Sequence, residues 1–350
     1  MKKKRAVALI FGGAGREHEI SVRGASYIQK KLAEIKDTDI IPVIIKRDGG
    51  WYAPKRLYAD AYGMELDKCP LRPVCPVRLG ERRGLLFGKK IIELAGAIPL
   101  LHGDFGEDGV IQGALEAAGI KYIGADTQTG AVLSDKAYTK LIAESLGIPV
   151  AEGIFTSRHD RMENVRHRAE RLFGYPMFIK PTRLGSSVGA MAVYDSAGFA
   201  SAYGRAARLG GGRVLVERLV DIEKELECGF ISVSGKQIFT DVGEIACTGR
   251  FYDYKTKYCD GGGAKVSPIS DASDDIKEKI RDYSARLAEC VGLRHLARLD
   301  YFLSTDGKIY FNEINTFPGM TEASLYSRLA ENAGYPIGEL LLSFLSEAEQ

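Results

Sequence analysis

The sequence predicts an α/β protein of two or three domains. Apolar residues 6–11 form a predicted strand that runs into a glycine turn at residues 12–15. Apolar residues then recur at helical spacing, which is how a doubly wound α/β unit begins. At 350 residues, the chain is longer than a single hydrophobic core usually supports. A predicted hairpin at residues 298–315 lies far from the N-terminal unit and carries most of the chemically informative side chains.

The composition is that of a globular protein, with 45% apolar and 27% charged residues. A net charge of +2 and the lack of a basic cluster with interleaved aromatic residues argue against nucleic-acid binding. Only six apolar residues follow the basic start, and no run of 18 apolar residues exists, so neither a signal peptide nor a membrane span is expected. The six cysteines form no C-x-x-C pair, which is typical of free thiols in the cytoplasm.

The first part of the chain alternates strands and helices. Strands are predicted at residues 6–11, 40–45 and 97–101, with loops and hairpins at residues 48–86. A helix follows at residues 110–118, and Gly119 ends it. The glycine-rich segment before this helix contains one histidine and three acids whose spacing fits no usual metal site. We interpret them as residues that either structure the loop or support the direct ligands of a nearby site: His102, Asp104, Glu107 and Asp108.

The middle of the chain contains a predicted phosphate-binding flap. A helix begins at residues 134–136 and ends at Gly147. Strands at residues 178–181 and 190–194 then flank a Gly/Ser loop at residues 182–189. The loop offers N–H and hydroxyl donors, and Lys180 adds a point charge beside it. A plain antiparallel hairpin is the alternative interpretation.

The last part begins with a strand at residues 214–220. A carboxylate in the middle of an apolar strand is unfavourable without a partner, so Glu217 is a candidate acceptor for an amine such as adenine N6. A hairpin at residues 226–242 and a long polar loop at residues 248–267 follow. A loop of this length is usually functional or disordered, and its aromatic residues argue against disorder. A helix at residues 276–291, ended by Gly292, leads into the C-terminal hairpin.

The C-terminal hairpin contains Asp306-Gly307, a strong signal for a two-residue turn. In that register Asp300 faces Glu313 and Arg298 faces Asn315, with all four side chains on one face of the sheet. Two carboxylates placed opposite each other repel, and a bound cation such as Mg²⁺ would relieve the repulsion. The alternative is a surface hairpin with one mismatched pair.

Four separated segments together resemble the D-alanine:D-alanine ligases of the ATP-grasp superfamily over essentially the full length. These segments are residues 12–21, 180–189, 251–258, and Asp300 with residues 312–319. The resemblance implies an ATP-grasp fold of three α/β domains. Residues 1–124 would form a doubly wound pre-ATP-grasp domain with the first D-alanine site. Residues 125–213 would form the small ATP-grasp domain, and residues 214–350 would carry the metal and second-substrate sites.

The resemblance also implies roles for individual residues. Two Mg²⁺ ions, or Mn²⁺, would be bound by Asp300, Glu313 and Asn315. ATP would contact Lys136, Lys180, Ser187, Glu217, Arg218, Leu219 and Val220, with its ribose at Glu225 or Glu223. Catalysis would involve a hydrogen-bonded triad together with a lid lysine and two oxyanion donors: Glu17, Ser186 and Tyr258, then Lys257, then Arg298 and the Gly319 N–H. The two substrates would contact Glu17 and His102 at the first site, and Ser324 and Leu325 at the second.

The activity implied by the resemblance is ATP-dependent joining of two D-alanines in a cytoplasmic homodimer. Leu184, residues 221–225 and the neighbours of Leu325 depart from the common family pattern. A ligase that adds D-serine or D-lactate therefore remains an alternative, as does an ATP-binding protein without turnover. The apolar Leu325 suits a methyl group and favours D-alanine as the second substrate.

Overall fold

The computed structural model describes residues 5–35, 38–54, 70–246 and 265–347. These residues form three β-sheets with helices packed against them. No helix within these ranges has the length and apolar character needed to cross a membrane.

The first sheet is mixed, with the strand order β6-β5-β4-β3-β2-β1-β7. Its strands are β1 (Arg5–Gly12), β2 (Thr38–Ile45), β3 (Trp51–Pro54), β4 (Leu71–Leu79), β5 (Arg82–Phe87), β6 (Lys90–Glu93) and β7 (Gly96–Leu100). Strand β1 pairs in parallel with both β2 and β7, whereas β3 to β6 extend the sheet by antiparallel pairing. The predicted strands of this region are thus confirmed, and so are the hairpins within residues 48–54 and 70–86, while residues 55–69 of the predicted segment lie outside the described residues.

Two helices cover opposite faces of the first sheet. Helix α1 (His18–Ala33) packs against one face, where Ile28 lies in a cluster with Leu9. Helix α2 (Val110–Ala117) packs against the other, where Leu115 lies with Ile10. Because alternate residues of β1 point to opposite faces, each helix buries a different half of the strand. The predicted doubly wound arrangement is confirmed.

The turn between β1 and α1 depends on Gly12. Its φ of 93° is one that residues with a side chain rarely adopt. A Cβ atom here would clash with the carbonyl oxygen of Ile45 on the neighbouring strand. The Gly12 N–H donates to the buried Ser21 Oγ at 2.8 Å, which fixes the start of α1 against the strand exit.

The second sheet is antiparallel, with the strand order β10-β9-β11-β8. Two helices precede it, α3 (Thr127–Leu133) and α4 (Lys136–Ser145). The strands are β8 (Gly153–Thr156), β9 (Met177–Pro181), β10 (Met191–Val193) and β11 (Val214–Arg218), and helices α5 (Met162–Leu172) and α6 (Ser196–Leu209) share a core with them. The strand predicted to open the last domain, β11, pairs with β8 and β9 in this sheet. The three domain boundaries stay a prediction.

The third sheet is also antiparallel, with the order β14-β13-β12-β15-β16. Its strands are β12 (Ile222–Val233), β13 (Lys236–Ala246), β14 (Lys265–Ser267), β15 (Leu296–Ser304) and β16 (Ile309–Asn315). Helix α7 (Asp274–Val291) shares one core with this sheet, together with side chains of α3 and α4. Helices α8 (Leu325–Asn332) and α9 (Ile337–Glu347) instead join a core that contains residues of both the first and the third sheet. The sharing of that core fixes the two sheets relative to each other.

The predicted two-residue turn between β15 and β16 is wrong. Ser304 N–H donates to Lys308 O at 2.9 Å, and Gly307 N–H donates to Ser304 O at 2.8 Å, which closes a three-residue loop around residues 305–307. Gly307 takes the positive φ (77°) that such loops need at their last position. The register nearest the turn is therefore one residue away from the prediction, as in the pair Leu303 and Ile309.

A register shift between Asp300 and Tyr301 restores the predicted pairing at the functional end of the hairpin. On β16 the extra residue is Asn312, so that Asp300 faces Glu313 and Arg298 faces Asn315 as predicted. Two offsets of one residue cancel, and the pairing that matters for the site is confirmed although its derivation from the turn is wrong.

We expect Gly12→Ala to destabilise the protein more than Gly49→Ala does. Both residues have positive φ, 93° and 82°, so each substitution carries the left-handed backbone cost of about 1–2 kcal/mol. Only at Gly12 does the new Cβ meet a backbone atom, since nothing lies within 4 Å of the position at Gly49. The clash should add about 1–3 kcal/mol to the loss of unfolding free energy measured in urea. Equal losses of unfolding free energy in the two variants would show that the Ile45 carbonyl moves aside without a measurable cost.

Candidate active site

A cleft of about 430 Å³ lies between the second and third sheets. Its walls are the flap between β9 and β10, the start of α4, the end of β11, and strands β12, β15 and β16. Many residues singled out from the sequence line it: Lys136, Lys180, Ser186, Ser187, Glu217, Arg218, Leu219, Val220, Glu223, Glu225, Asp300 and Glu313. A smaller pocket on the other side of the flap is lined by Arg16, Glu17 and Asp104 together with flap residues.

Three carboxylates lie side by side across the third sheet. Glu227 on β12 faces Asp300 on β15, which in turn faces Glu313 on β16. Glu227 and Asp300 are almost completely buried. The sequence analysis missed Glu227, because its place in the row follows from the pairing of β12 with β15, more than 70 residues apart, and no local signal reports that pairing.

Cations of the protein itself balance these carboxylates. The Arg298 guanidinium donates to both oxygens of Asp300 at 2.8 Å, and its Nε lies 2.9 Å from Glu227 Oε2. Lys136 Nζ lies 2.9 Å from Glu313 Oε2. Burial opposes the charged form of Arg298, but the facing carboxylates outweigh it and raise the pKa of Arg298 well above its usual value. The charge conflict inferred from the hairpin is thus resolved here by side chains.

The predicted metal ligands Asp300, Glu313 and Asn315 come together as expected. The Asn315 side-chain nitrogen donates to Asp300 Oδ2 at 2.9 Å, which holds the amide beside the carboxylate. Two carboxylates and an amide oxygen form a hard-oxygen set of the kind that binds Mg²⁺. In the described part of the chain, no group of three His, Cys, Asp or Glu side chains has the arrangement of a metal site. The oxygen donors of Asp300, Glu313 and Asn315 fit Mg²⁺ by their chemistry, with an amide as the third ligand.

Glu217, near the end of β11, lies between two lysines. Lys180 Nζ is 2.9 Å from Glu217 Oε2, and Lys140 Nζ bonds to Glu217 Oε1. All three side chains are buried. Burial raises the pKa of a carboxyl group, but the two ammonium charges outweigh it and hold the pKa of Glu217 below its usual value. The sequence analysis expected a partner for this carboxylate, and the structure provides two, Lys140 and Lys180.

Lys140 was missed in the sequence, although a signal for it exists. It lies four residues after Lys136 on α4, and residues at that spacing share one face of a helix. Lys136 and Lys140 consequently reach the same cleft at two depths. Burial lowers the pKa of Lys140 to about 8, against the attraction of Glu217.

The flap connects the cleft to the smaller pocket. Ser186 and Ser187 both have positive φ, 53° and 57°, at the tip of the flap. Ser186 Oγ donates to Glu17 Oε1 at 2.5 Å, so two members of the predicted triad are in contact. Tyr258, Lys257 and residues 248–264 of the predicted loop lie outside the described residues, whereas its last three residues form β14. Lys136 Nζ also donates to Leu184 O at 3.0 Å, which ties the start of α4 to the flap.

The segment after β7 is tied to the loop after β16. Glu107 accepts from Gly103 N–H at 2.9 Å and from Phe317 N–H at 3.1 Å. The predicted loop-structuring role of this segment is confirmed by these bonds. His102 Nδ1 lies 3.1 Å from Phe317 O, while its buried Nε2 has no hydrogen-bond partner among the described residues. Burial lowers the pKa of His102 and so favours its neutral form.

The predicted second-substrate residues lie at the start of α8. Ser324 precedes the helix, and its Oγ accepts from Thr321 N–H at 2.9 Å. Leu325 is buried and packs in a small apolar cluster with Ile245 and Leu329. Gly319 lies in the preceding loop, where a Cβ atom would be 3.4 Å from Ser324 Oγ.

Two of the predicted nucleotide-binding residues have other contacts. The Arg218 side chain is exposed and forms an ion pair with Glu152 at 3.0 Å. Leu219 N–H donates to Pro176 O at 3.0 Å, and Leu219 also lines the cleft. Glu223 and Glu225 both line the cleft, so the structure keeps both as candidates for the ribose contact.

Comparisons with known proteins give one consistent result. The model described as "D-ala D-ala ligase C-terminus" matches residues 142–346, and the model described as "D-ala D-ala ligase N-terminus" matches residues 6–125. Curated relatives called D-alanine–D-alanine ligase include those of Treponema pallidum and Ruminiclostridium cellulolyticum, both 34% identical. The matches cover 98% of this chain and 88% of the first relative, and 97% and 94% for the second.

Solved structures agree. D-alanyl-alanine synthetase A from Vibrio cholerae is 30% identical with a TM-score of 0.85, and the match covers 99% of each chain. The VanG D-Ala:D-Ser ligase from Enterococcus faecalis is 29% identical with a TM-score of 0.85, covering 98% of this chain and 99% of that one. This likeness confirms the predicted α/β fold of the ATP-grasp class.

We expect the free energy of unfolding of the wild type to fall between pH 4.5 and about 7, and we expect Glu107→Gln to remove this fall. Burial raises the pKa of Glu107 from 4.5 to about 7, so the folded protein binds this proton more tightly than the unfolded chain. That stabilisation is complete below pH 4.5 and is lost as the pH rises to about 7, which corresponds to about 3 kcal/mol at most. Urea unfolding of the wild type and the variant at several pH values measures the difference.

The control for this prediction is Asp108→Asn. The Asp108 carboxylate also accepts backbone hydrogen bonds in this loop, from Phe105 and Val110. Asp108→Asn therefore measures how much stability is lost when the loop's hydrogen bonds alone are disturbed. Wild-type and Glu107→Gln stabilities that run parallel between pH 4.5 and 7 would contradict the raised pKa.

Proposed function

Because the chain belongs to the D-alanine–D-alanine ligase family, we propose that it joins two D-alanine molecules into D-Ala-D-Ala with ATP as the energy source. The products would be the dipeptide, ADP and phosphate, and the dipeptide would enter peptidoglycan synthesis in the cytoplasm. The observation that carries this proposal is the row of carboxylates in the cleft, flanked by Arg298, Lys136 and Lys180. Such a site suits transfer of a phosphoryl group to an acid and stabilisation of an oxyanion.

The proposed reaction has two steps. A carboxylate oxygen of the first D-alanine attacks the γ-phosphorus of ATP, which releases ADP and leaves an acyl phosphate. The amine of the second D-alanine then attacks the acyl carbon, loses a proton and expels phosphate. Phosphoryl transfer depends mainly on positioning and charge neutralisation, which the lysines of the cleft provide.

The nucleotide would lie in the cleft between the second and third sheets. Lys136, Lys180 and Ser187 surround the space next to the flap and would contact the phosphates. Glu217 would accept from the adenine amine, with Arg218 to Val220 beside the base, and Glu225 or Glu223 would bind the ribose. Mg²⁺ would be held by Asp300, Glu313 and Asn315, and it would neutralise charge on the phosphates when bound.

The amino-acid substrates would bind on the first-sheet side of the flap. Glu17 would hold the ammonium of the first D-alanine, and the neutral His102, with its unpartnered Nε2, would contact the same molecule. Arg298 and the Gly319 N–H would stabilise the oxyanion, and Ser324 and Leu325 would bind the second D-alanine. Glu17 and Ser186, joined by a hydrogen bond, would close the site together with Tyr258 and Lys257.

A D-serine acceptor is the second candidate, because VanG, named a D-Ala:D-Ser ligase, is among the similar structures. Leu325 supports D-alanine instead, since an apolar side chain cannot hydrogen-bond a hydroxyl group. D-lactate and ATP binding without turnover remain further alternatives. A homodimer formed through the N-terminal domain is part of the proposal.

We expect ATP and Mg²⁺ to release phosphate with D-alanine alone and to yield D-Ala-D-Ala by mass spectrometry. Parallel reactions contain L-alanine, D-alanine with D-serine, and D-alanine with D-lactate. Phosphate release that requires D-serine or D-lactate beside D-alanine would show that the chain is a ligase with another acceptor. Nucleotide binding with no release in any mixture would leave only an ATP-binding protein.

We expect Arg298→Ala to lower turnover about 10²–10³-fold, as the loss of one oxyanion donor typically does. The control is Arg281→Ala, which removes an arginine 3.5 Å from Asp241, outside the cleft lining. Turnover at saturating Mg²⁺ and substrates, together with thermal unfolding of each variant, separates catalysis from folding. Turnover within about threefold of the wild type in Arg298→Ala would remove Arg298 from the mechanism.

A further inference from the structure

We propose that Lys140 is a positioning residue for adenine recognition, which keeps Glu217 charged and in place while Lys180 serves the phosphates of ATP. The inference rests on the proposed function, since it needs ATP in this cleft. It assigns a role to a buried cation that the reaction described above does not use.

The contacts of Lys140 point toward Glu217 alone. Its ammonium bonds to Glu217 Oε1, and only 2% of the residue is exposed. In the hydrogen bonds and ion pairs of the described residues, Lys140 has no second acidic partner. A lysine buried this completely is strongly disfavoured unless a counter-charge holds it, so the two groups depend on each other.

Lys180 is placed differently. Its Nζ lies 2.9 Å from Glu217 Oε2 and 3.3 Å from Asn312 Oδ1, at the wall of the cleft next to the flap. Two ammonium groups on one carboxylate leave one positive charge in excess. A polyphosphate brings the negative charge that complements this excess, and Lys180 is the lysine on the phosphate side. Lys140 is therefore the counter-ion left to Glu217 when a nucleotide binds.

The charge of Glu217 matters for the base. An ionised carboxylate only accepts hydrogen bonds, so it suits the exocyclic amine of adenine and repels the carbonyl oxygen that inosine carries there. Without Lys140, Glu217 would either retain Lys180 as its only counter-ion or take up a proton. Retaining Lys180 withdraws a cation from the phosphates, and protonation makes one oxygen a donor that tolerates inosine.

The charge balance within the cleft supports the same view. Burial alone would raise the pKa of Glu217, and Lys140 is the first of the two cations that hold it below its usual value. Other carboxylates of the cleft are already paired, Glu313 with Lys136 and Asp300 with Arg298. Among the described residues, the ion pairs of Glu217 are those with Lys140 and Lys180.

The test compares Lys140→Met with the wild type in binding ATP and inosine triphosphate, by calorimetry with Mg²⁺ and without amino acid. Methionine keeps the length and packing of the side chain but removes its charge. We expect the affinity for ATP to fall about 10- to 100-fold, the scale of a lost charged hydrogen bond, while the preference for ATP over inosine triphosphate shrinks. In steady-state assays, KM for ATP should rise more than kcat falls, and Lys140→Arg should restore part of the preference.

Two further variants make the test specific. Lys277→Met removes a lysine paired with Asp241 on the third sheet and should leave both nucleotide affinities unchanged. In a Glu217→Gln background, Lys140→Met should cause no additional loss of the ATP preference, because Lys140 acts through the Glu217 charge. This double variant removes both charges of the buried Lys140–Glu217 pair, so it gives a result even if Lys140→Met alone unfolds.

The outcomes separate the inference from the function. Wild-type protein that does not bind ATP would overturn the proposed function itself. Wild-type binding of ATP combined with an unchanged ATP preference in Lys140→Met would overturn only the role of Lys140. An additional loss of preference when Lys140→Met is placed in the Glu217→Gln background would likewise show that Lys140 acts independently of Glu217.

Discussion

The cleft depends on the pairing of carboxylates with lysine and arginine side chains of the protein itself. Glu227, Asp300 and Glu313 stand side by side on the third sheet, and Glu217 lies buried in the second. A buried charge without a partner is unfavourable by several kcal/mol, so the three buried groups, Glu217, Glu227 and Asp300, require counter-ions. The counter-ions come from α4, β9 and β15, and the second sheet, the third sheet and α4 are held together around the cleft by these pairs.

The same cations are the ones that the proposed reaction needs. Lys136 and Lys180 are held by Glu313 and Glu217, and Arg298 is held by Asp300. Internal carboxylates thus keep the phosphate-binding and oxyanion-binding side chains pre-positioned, which lowers the entropy lost when a substrate binds. In the proposed ATP complex, phosphates and Mg²⁺ would replace part of these pairings, so the net charge of the cleft changes little.

Local signals in the sequence predicted most of the strands and the helix ends. Gly119, Gly147 and Gly292, for example, each adopt the positive φ expected just after a helix. Glu227 was missed because its place depends on Asp300, which lies more than 70 residues away in the chain. The helical spacing that relates Lys140 to Lys136 could have indicated Lys140, but it does not report the partner Glu217. The pairing of β11 with the second sheet was also missed, because the sequence of a short apolar strand does not indicate which strands it pairs with.

The bulge at Asn312 shows how much of the site rests on one residue. With the three-residue loop and no bulge, Asp300 would face Asn312, and Glu313 would face Leu299. Leu299 belongs to the apolar core beneath the sheet, so Glu313 would point into that core and away from Lys136. A shift of one residue exchanges the two faces of a strand, and the bulge reverses that exchange. It also leaves Asn312 beside Lys180, so one irregularity both aligns the carboxylates and contributes a contact to the phosphate side of the cleft.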